Sequence, residues 1–187
     1  MTRKNVKPPF KIEDFQMELE RTRRRDENKN LLRTTMALVV TAIAITVLVS
    51  MIWLPLLKIH GSSMEPTLKE GEIIVFMKTS NIKQGDVIAF YYNNKILVKR
   101  AIAFPGQWVE IDEDGNVYVD QKLVEEPYLP EKAKGECDII LPYQVPQDKI
   151  FVMGDHRSVS MDSRNEVIGC ISNNKILGKL LFPIWPL

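Results

Sequence analysis

Residues 61–68, with the sequence GSSMEPTL, place two adjacent hydroxyl groups in a short, stiff turn. Gly61 allows backbone conformations that other residues avoid, and Pro66 favours an extended conformation at Glu65. Such a turn can hold a serine hydroxyl in one direction, which nucleophilic catalysis requires. A linker after an apolar run has the same composition, so this segment alone leaves both interpretations open.

Lys99 and Arg100 interrupt an otherwise aliphatic run at residues 96–103. If this run is a β-strand, the two side chains point to opposite faces, and one cation must share a largely apolar face. Burial would lower the pKa of a lysine from its usual value of ~10.4, and a neutral lysine is a competent general base. The competing interpretation is that the lysine lies along the apolar surface and keeps its ammonium group in water.

Residues 153–164 (MGDHRSVSMDSR) contain two Asp/Arg pairs whose members are two positions apart, with serines between the pairs. The pairs are Asp155 with Arg157 and Asp162 with Arg164. These charges and hydroxyls predict a rigid polar loop, although an ordinary charged surface loop has a similar composition.

An uncharged apolar run precedes these three segments and occupies residues 34–57. Its 24 residues exceed the ~20 that a helix needs to cross a bilayer. A cleavable signal peptide fits poorly, because the charged leader has 33 residues and a signal-peptide apolar core has only about 7–15. We therefore predict an N-terminal segment at 1–33, a transmembrane helix at 34–57 and a globular domain at 58–187.

The orientation of this predicted span follows from the charges on its two sides. Residues 1–33 hold ten Lys/Arg and six Asp/Glu, whereas the rest of the chain holds 15 Lys/Arg and 18 Asp/Glu. Positive charge is retained on the cytoplasmic side, so the N-terminus is expected inside the cell and residues 58–187 outside. The chain has an overall charge of +1 and no strongly basic domain, which argues against a nucleic-acid partner.

Short runs of β-branched and aromatic residues follow the apolar segment and are separated by turn residues, which predicts a mainly β domain. The predicted strands are 73–77, 87–92, 96–103, 108–111, 117–119, 150–153 and 168–171. Asn93 and Asn94 predict one tight hairpin, and residues 112–116 with Gly115 predict a second. Residues 121–147 are rich in Pro, Glu and Lys, so we expect a loop there.

Cysteine and histidine offer little basis for a metal site. Cys137 and Cys170 are 33 positions apart, without a CxxC motif, and His60 and His156 are the only histidines. No zinc or other metal centre is therefore predicted. The two cysteines could be free thiols or one disulfide, and we favour free thiols.

The three chemical segments together resemble the type I signal peptidases, in the short form of Gram-positive bacteria. The matching residues are SMEPTL at 63–68, QGDVI at 84–88, VKRA at 98–101, Pro105-Gly106, and GDHRSVSMDSR at 154–164. The resemblance extends from about Gly61 to Arg164, and the N-terminal apolar run agrees with it.

This resemblance implies a signal-peptidase-like, β-rich catalytic domain that is tethered by one N-terminal transmembrane helix. It implies Ser63 as the nucleophile, Lys99 as the general base and Ser160 as the hydroxyl that orients the lysine. Asp162 and Arg164 match a supporting ion pair, and the same motif contains Gly154 and Asp155. The enzyme would need no metal or organic cofactor.

The implied substrates are secretory preproteins with small residues at positions −1 and −3, cleaved beside the lipid bilayer. The oxyanion would be bound around Gly61, Ser62 and Ser63. Gly61 departs from the family, in which some members carry a serine hydroxyl as a second donor. His156 replaces the usual asparagine, and we expect it to be structural.

Two other functions remain open at this point. One is a Ser/Lys protease dedicated to a few precursors, such as pilus subunits. The other is a non-catalytic, membrane-tethered β domain that binds exported chains. A self-cleaving repressor uses the same chemistry, but a membrane span stands where its DNA-binding domain would lie.

Overall fold

The structure is a computed structural model that describes residues 12–185 of the 187-residue chain. The chain divides into two compact units, one ending at Ser50 and the other beginning at Met51. The first contains most of one long helix, and the second contains all the strands.

Helix α1 runs from Ile12 to Trp53 and includes a stretch, Gln16–Val49, that is long and apolar enough to cross a membrane. Within it the Thr41 and Thr46 hydroxyls donate to backbone carbonyls one turn earlier, at 2.8 and 2.9 Å, so these polar groups are satisfied inside the apolar stretch. The helix ends two residues before Pro55, which disfavours helical geometry in the residue before it. The charged part of 12–33 is helical and continuous with the apolar part.

The second unit contains two antiparallel sheets, which confirms the predicted mainly β fold. The strands are β1 (Leu56–Lys58), β2 (Ile73–Met77), β3 (Val87–Tyr92), β4 (Lys95–Ala103), β5 (Trp108–Ile111), β6 (Val117–Val119), β7 (Lys122–Leu123), β8 (Tyr143–Gln144), β9 (Lys149–Met153), β10 (Ile171–Ser172) and β11 (Ile176–Trp185). The larger sheet has the order β1-β2-β11-β3-β4-β9-β10, and the smaller sheet has the order β7-β6-β5-β8.

Strand β3 is buried on both faces, because alternate side chains enter two different apolar clusters. Val87 and Ala89 pack with the core residues of one cluster, whereas Ile88 and Phe90 pack with those of the other. The first cluster also contains Met64, which directly follows Ser63 in the chain. The turn that carries the serines is therefore anchored in the core of the larger sheet.

The β3–β4 hairpin fixes the position of Lys99. Asn93 and Asn94 have φ values of +45° and +60°, which is the geometry of a two-residue turn matched to the strand twist. The resulting register pairs Tyr92 with Lys95 and Ile88 with Lys99. The predicted hairpin is confirmed, as is the second one at Gly115, where φ is +79°.

Two strand predictions need correction. The strand expected at 168–171 is wrong, because the N–H groups of Ile168 and Gly169 both turn back to the Asn165 carbonyl and only Ile171–Ser172 is extended. Strand β11 was not predicted, although it pairs with β2 on one side and β3 on the other. It tolerates Pro183 next to a register shift, where the ladder is interrupted in any case. Residues 56–58 at the end of the predicted span also form a strand, β1.

Candidate active site

Two buried side chains that follow Ser63 anchor the turn at 61–68. Met64 and Leu68 are 2% and 1% exposed, and the Leu68 N–H donates to the Met64 carbonyl at 2.9 Å. The Ser63 carbonyl accepts the His156 N–H at 3.1 Å. Core packing and this backbone bond fix the main chain of Ser63, while its side chain remains half-buried at a cavity.

Ser63 and Lys99 line one cavity of about 100 Å³. The other walls come from residues 57–61 and 96–98, which are largely apolar. The structure thus brings together a hydroxyl and an amine that lie 36 positions apart in the sequence. The Lys99 amine is hydrogen-bonded to Ser160 rather than to Ser63.

Lys99 is 4% exposed, and its Nζ donates to the Ser160 Oγ at 3.0 Å. Among the described residues it forms no ion pair. Burial lowers the pKa of Lys99 from 10.5 to about 8, although the carboxylates of Asp162 and Asp155 act in the opposite direction. A substantial fraction of Lys99 is therefore neutral near pH 8, as a general base must be.

Ser160 connects Lys99 to a buried ion pair formed by Asp162 and Arg164. The Arg164 guanidinium donates to both Asp162 oxygens, at 2.9 and 2.8 Å, and both side chains are fully buried. Burial alone would raise the pKa of Asp162, but the hydrogen bonds and charge of Arg164 hold it below its usual value. A hydrogen bond from the Ser160 side chain acts in the same direction. The Asp162 carboxylate is thus charged and can orient the Ser160 hydroxyl, which accepts the hydrogen bond from Lys99.

Gly154 lies between the serine turn and the Ser160 side chain of the polar loop. A Cβ added to it would collide with the Ser160 side chain and the Ser63 carbonyl oxygen. Its N–H donates to the Asp162 carboxylate at 2.9 Å. The missing side chain therefore permits the contact between the segments that carry Ser63 and Ser160.

Asp155 pairs with Arg100 of β4 rather than with a residue of its own loop. The Arg100 guanidinium donates to both carboxylate oxygens, at 2.8 and 2.5 Å, and the Thr67 hydroxyl donates at 2.5 Å. This group links β4, the serine turn and the polar loop. Of the two neighbouring cations, Lys99 therefore has no carboxylate partner in the described part of the chain, whereas the Arg100 guanidinium is paired with Asp155.

The expected oxyanion region has free backbone donors. The N–H groups of Gly61, Ser62 and Ser63 make no hydrogen bond within the described part of the chain, whereas the Glu65 N–H donates to the Ser62 carbonyl. Gly61 is exposed and has a φ of +83°, with open space where a side chain would stand. Ser62 is also exposed, so neither residue is constrained by packing.

His156 contacts the site through its backbone. Its N–H donates to the Ser63 carbonyl, and its carbonyl accepts the Ser160 N–H at 3.0 Å. The side-chain Nδ1 is buried without a hydrogen-bond partner among the described residues. This geometry agrees with the expected structural role and offers no base directed at Ser63.

Sequence reasoning missed a second buried group beside the site, formed by Glu126, Tyr128 and Arg157. Arg157 pairs with Glu126, and the Tyr128 hydroxyl donates to the same carboxylate at 3.0 Å. Asp155 and Arg157, which lie two positions apart in the sequence, thus pair with residues of two other segments and not with each other. Nothing in the sequence distinguishes Glu126 as buried, because many exposed charged residues surround it in the segment 121–147.

The structure contains no group of three or more potential metal ligands among residues 12–185. Cys137 and Cys170 are free thiols.

Comparisons with known proteins point to one family. A family model described as signal peptidase, peptidase S26, matches residues 32–185. A signal peptidase I of Bacillus amyloliquefaciens is 36% identical over 159 residues, which cover 79% of this chain and 85% of that protein. A signal peptidase IB of Staphylococcus aureus (strain COL) is 40% identical over 148 residues, covering 68% and 76%. A crystal structure of a signal peptidase I from Enterococcus faecalis V583 aligns with 54% of this chain and 97% of its own, at 26% identity and a TM-score of 0.45.

Proposed function

The chain belongs to the signal peptidase family, peptidase S26, and on that premise we propose that it removes N-terminal signal peptides through a Ser63/Lys99 dyad. Membership in the family makes the protein a serine peptidase that acts on signal peptides. It also confirms the resemblance seen in the sequence. The identity of the nucleophile and of the base belongs to the proposal, and the geometry of the site supports it.

The reaction begins with neutral Lys99, which accepts the proton of the Ser63 hydroxyl. The Ser63 Oγ attacks the scissile carbonyl and forms a tetrahedral intermediate. The Lys99 ammonium then returns the proton to the leaving amine, and an acyl-enzyme remains on Ser63. Lys99, neutral again, takes a proton from water, whose oxygen attacks the acyl carbon. The ammonium then gives that proton to the Ser63 Oγ as the C–O bond breaks, which releases the acid and restores the serine.

Ser160, Asp162 and Arg164 act by orienting the lysine. The Ser160 Oγ accepts a hydrogen bond from the Lys99 amine at 3.0 Å. The Ser160 hydroxyl in turn donates to the Asp162 carboxylate, which Arg164 keeps charged. This arrangement holds Nζ at one place without placing a carboxylate in contact with it. The lysine can thus stay close to neutral and still be fixed in direction.

The oxyanion is stabilised in this proposal by the free N–H of Ser63. A side-chain hydroxyl at position 61 is absent, and the φ of +83° at Gly61 favours glycine there. Because the loss of one oxyanion donor costs about 10²–10³ in rate, a second donor from backbone or water completes the site when substrate is bound.

The cavity beside Ser63 supports the proposed substrate class. Its volume of about 100 Å³ and its mainly apolar walls suit small side chains. We therefore propose secretory preproteins with small residues at −1 and −3, bound as an extended strand.

The proposed topology places residues 1–33 in the cytoplasm and the domain from residue 58 outside it. The apolar helix makes the chain compatible with a single-pass membrane protein. In this arrangement the bilayer holds enzyme and preprotein at the same interface, which raises the effective concentration of substrate.

The observation that carries the proposal is the burial of Lys99 at the Ser63 cavity, which lowers its pKa to about 8. We expect kcat/KM for preprotein cleavage to rise about tenfold per pH unit below pH 8 and to level off above it, because only neutral Lys99 accepts the proton. The measurement is a pH profile of kcat/KM from pH 6 to 9.5 with the full chain in detergent. A profile that is flat over this range, or that falls as pH rises through 8, contradicts Lys99 as the base.

A further inference from the structure

A strap formed by residues 124–138 crosses the polar loop that carries Ser160. The strap contains no strand, yet it contacts the loop at several points. The Arg164 guanidinium donates to the Lys134 carbonyl at 2.6 Å, and the Asp138 N–H donates to the Arg164 carbonyl at 3.1 Å. Gly135 passes so near Arg157 that an added Cβ would collide with the Arg157 carbonyl.

The strap also supplies a buried acid to the loop. The Glu126 side chain is fully buried and pairs with Arg157, whose own side chain is 1% exposed. Arg157 donates to both carboxylate oxygens, and its remaining Nε–H donates to the Gly154 carbonyl at 3.2 Å. Glu126 therefore determines the direction of the guanidinium that holds the Gly154 peptide.

Tyr128 extends the same contact to the Lys99 strand. Its hydroxyl donates to Glu126 at 3.0 Å, and its ring lies 3.7 Å from the Arg100 guanidinium carbon. Arg100 in turn holds both oxygens of Asp155, the residue after Gly154. The strap thus reaches the Gly154–Asp155 peptide from two sides.

We propose that Glu126 and Tyr128 are positioning residues, which set the separation of Ser63 and Lys99 through Arg157 and Arg100. Gly154 lies against both the Ser63 carbonyl and the Ser160 side chain. A displacement of the Gly154 peptide therefore moves Ser63 relative to Ser160, the hydrogen-bond partner of Lys99. The strap completes this geometry from a segment that contacts no reacting atom. The inference rests on the proposed Ser63/Lys99 function.

The decisive variant is Arg157→Lys. A lysine at 157 keeps an ion pair with Glu126 but lacks the guanidinium fork that also reaches the Gly154 carbonyl. We expect kcat for preprotein cleavage to fall about 10–100-fold, because small displacements of catalytic groups cost about that much, while KM stays within about twofold. Glu126→Gln is expected to act in the same direction.

The pH profile separates positioning from an electrostatic effect. Neither Glu126 nor Arg157 is among the charges that shift the pKa of Lys99. The midpoint of the profile should therefore stay near that of the unmodified chain in both variants, while the plateau falls. An unchanged plateau with a shifted midpoint would overturn the proposal.

A matched control is the exposed ion pair between Glu113 and Lys134, in which the Glu113 side chain is 90% exposed. Glu113→Gln breaks a contact to the same strap, and we expect unchanged kcat and KM. If Glu126→Gln does not fold, the double variant Glu126→Leu/Arg157→Met replaces the buried pair by apolar groups, a change that proteins often tolerate. Its kcat per folded molecule should still fall at least about tenfold.

The inference fails if Arg157→Lys, or the folded double variant, cleaves preprotein with the kcat of the unmodified chain. It also fails if activity falls only in proportion to the unfolded fraction measured by thermal unfolding in detergent. An unmodified chain that cleaves no preprotein would instead contradict the proposed function itself.

Discussion

Replacing Lys99 with methionine is expected to lower kcat/KM for preprotein cleavage by at least about 10³-fold while making the folded chain more stable. The activity is lost because methionine cannot accept the proton of Ser63. Stability rises because the burial that lowers the lysine pKa from 10.5 to about 8 corresponds to a penalty of about 3 kcal/mol in the folded state. Ser160 keeps its hydrogen bond to Asp162 in this variant, so its hydroxyl is not left without a partner. We therefore expect the free energy of unfolding to rise by about 1–3 kcal/mol at pH 7.

The pH dependence of this gain has a defined sign. The pKa of Lys99 is lower in the folded state than in the unfolded state, so the unfolded chain binds more protons between pH 8 and 10.5. The penalty is present in full below about pH 8 and disappears as the pH rises toward 10.5. Thermal unfolding of the full chain in detergent at pH 6.5 and pH 9.5 should therefore show the larger difference at the lower pH.

Lys95→Met provides the matched control for this prediction. Lys95 is an exposed lysine at the start of the same strand, so the substitution removes a charge without relieving a burial penalty. We expect neither the stability nor the cleavage rate to change appreciably. The account is contradicted if Lys99→Met is less stable than the unmodified chain at pH 6.5, or if it keeps its cleavage activity.

Gly154→Ala is expected to produce the second largest effect, a loss of about 10²–10⁴ in kcat. An added Cβ would lie about 2.5 Å from both the Ser63 carbonyl oxygen and the Ser160 Cβ, so one of the two segments must move. Overpacking of this kind also destabilises the fold, by about 1–3 kcal/mol. The measurement is kcat per folded molecule, with the folded fraction determined by thermal unfolding.

Gly178→Ala is the control that separates destabilisation from damage to the site. Gly178 also lacks a positive φ, and an added Cβ would collide with the backbone of Met77, but it lies in β11 rather than near Ser63. We expect a similar loss of stability with kcat largely preserved. Equal losses of kcat in the two variants would show that Gly154 has no special role in the site.

The parts of this structure that the sequence predicted are those with local signals. Asn93 and Asn94 specify a turn by their own conformational preference, and β3 and β4 flank it with β-branched residues on both sides. The strand period left two interpretations of Lys99 open, a buried amine or one that reaches water, and the structure shows the buried one. The choice of Ser63 over the neighbouring serine comes from the family resemblance and stays a prediction, because the turn residues alone left it open.

The missed features depend on partners distant in the sequence. Asp155 and Arg157 lie two positions apart, but their buried partners, Arg100 and Glu126, lie 55 and 31 positions away in the sequence. Strand β11 contains Pro183, which argues against a central strand unless the neighbouring register shift is known. Glu126 had no periodicity or motif to distinguish it from its exposed neighbours. In each case the contact is set by tertiary packing, which a local pattern does not encode.

The most direct test of the Ser63/Lys99 assignment is cleavage of a secretory preprotein by the detergent-solubilised full chain, run beside Ser63→Ala. Ser63 is half-buried and its hydroxyl supports no other described group, so the variant should unfold at the same temperature as the unmodified chain. We predict cleavage after a small residue by the unmodified chain and a loss of at least about 10³-fold in Ser63→Ala. Cleavage at the same site and rate by a folded Ser63→Ala variant would contradict the account.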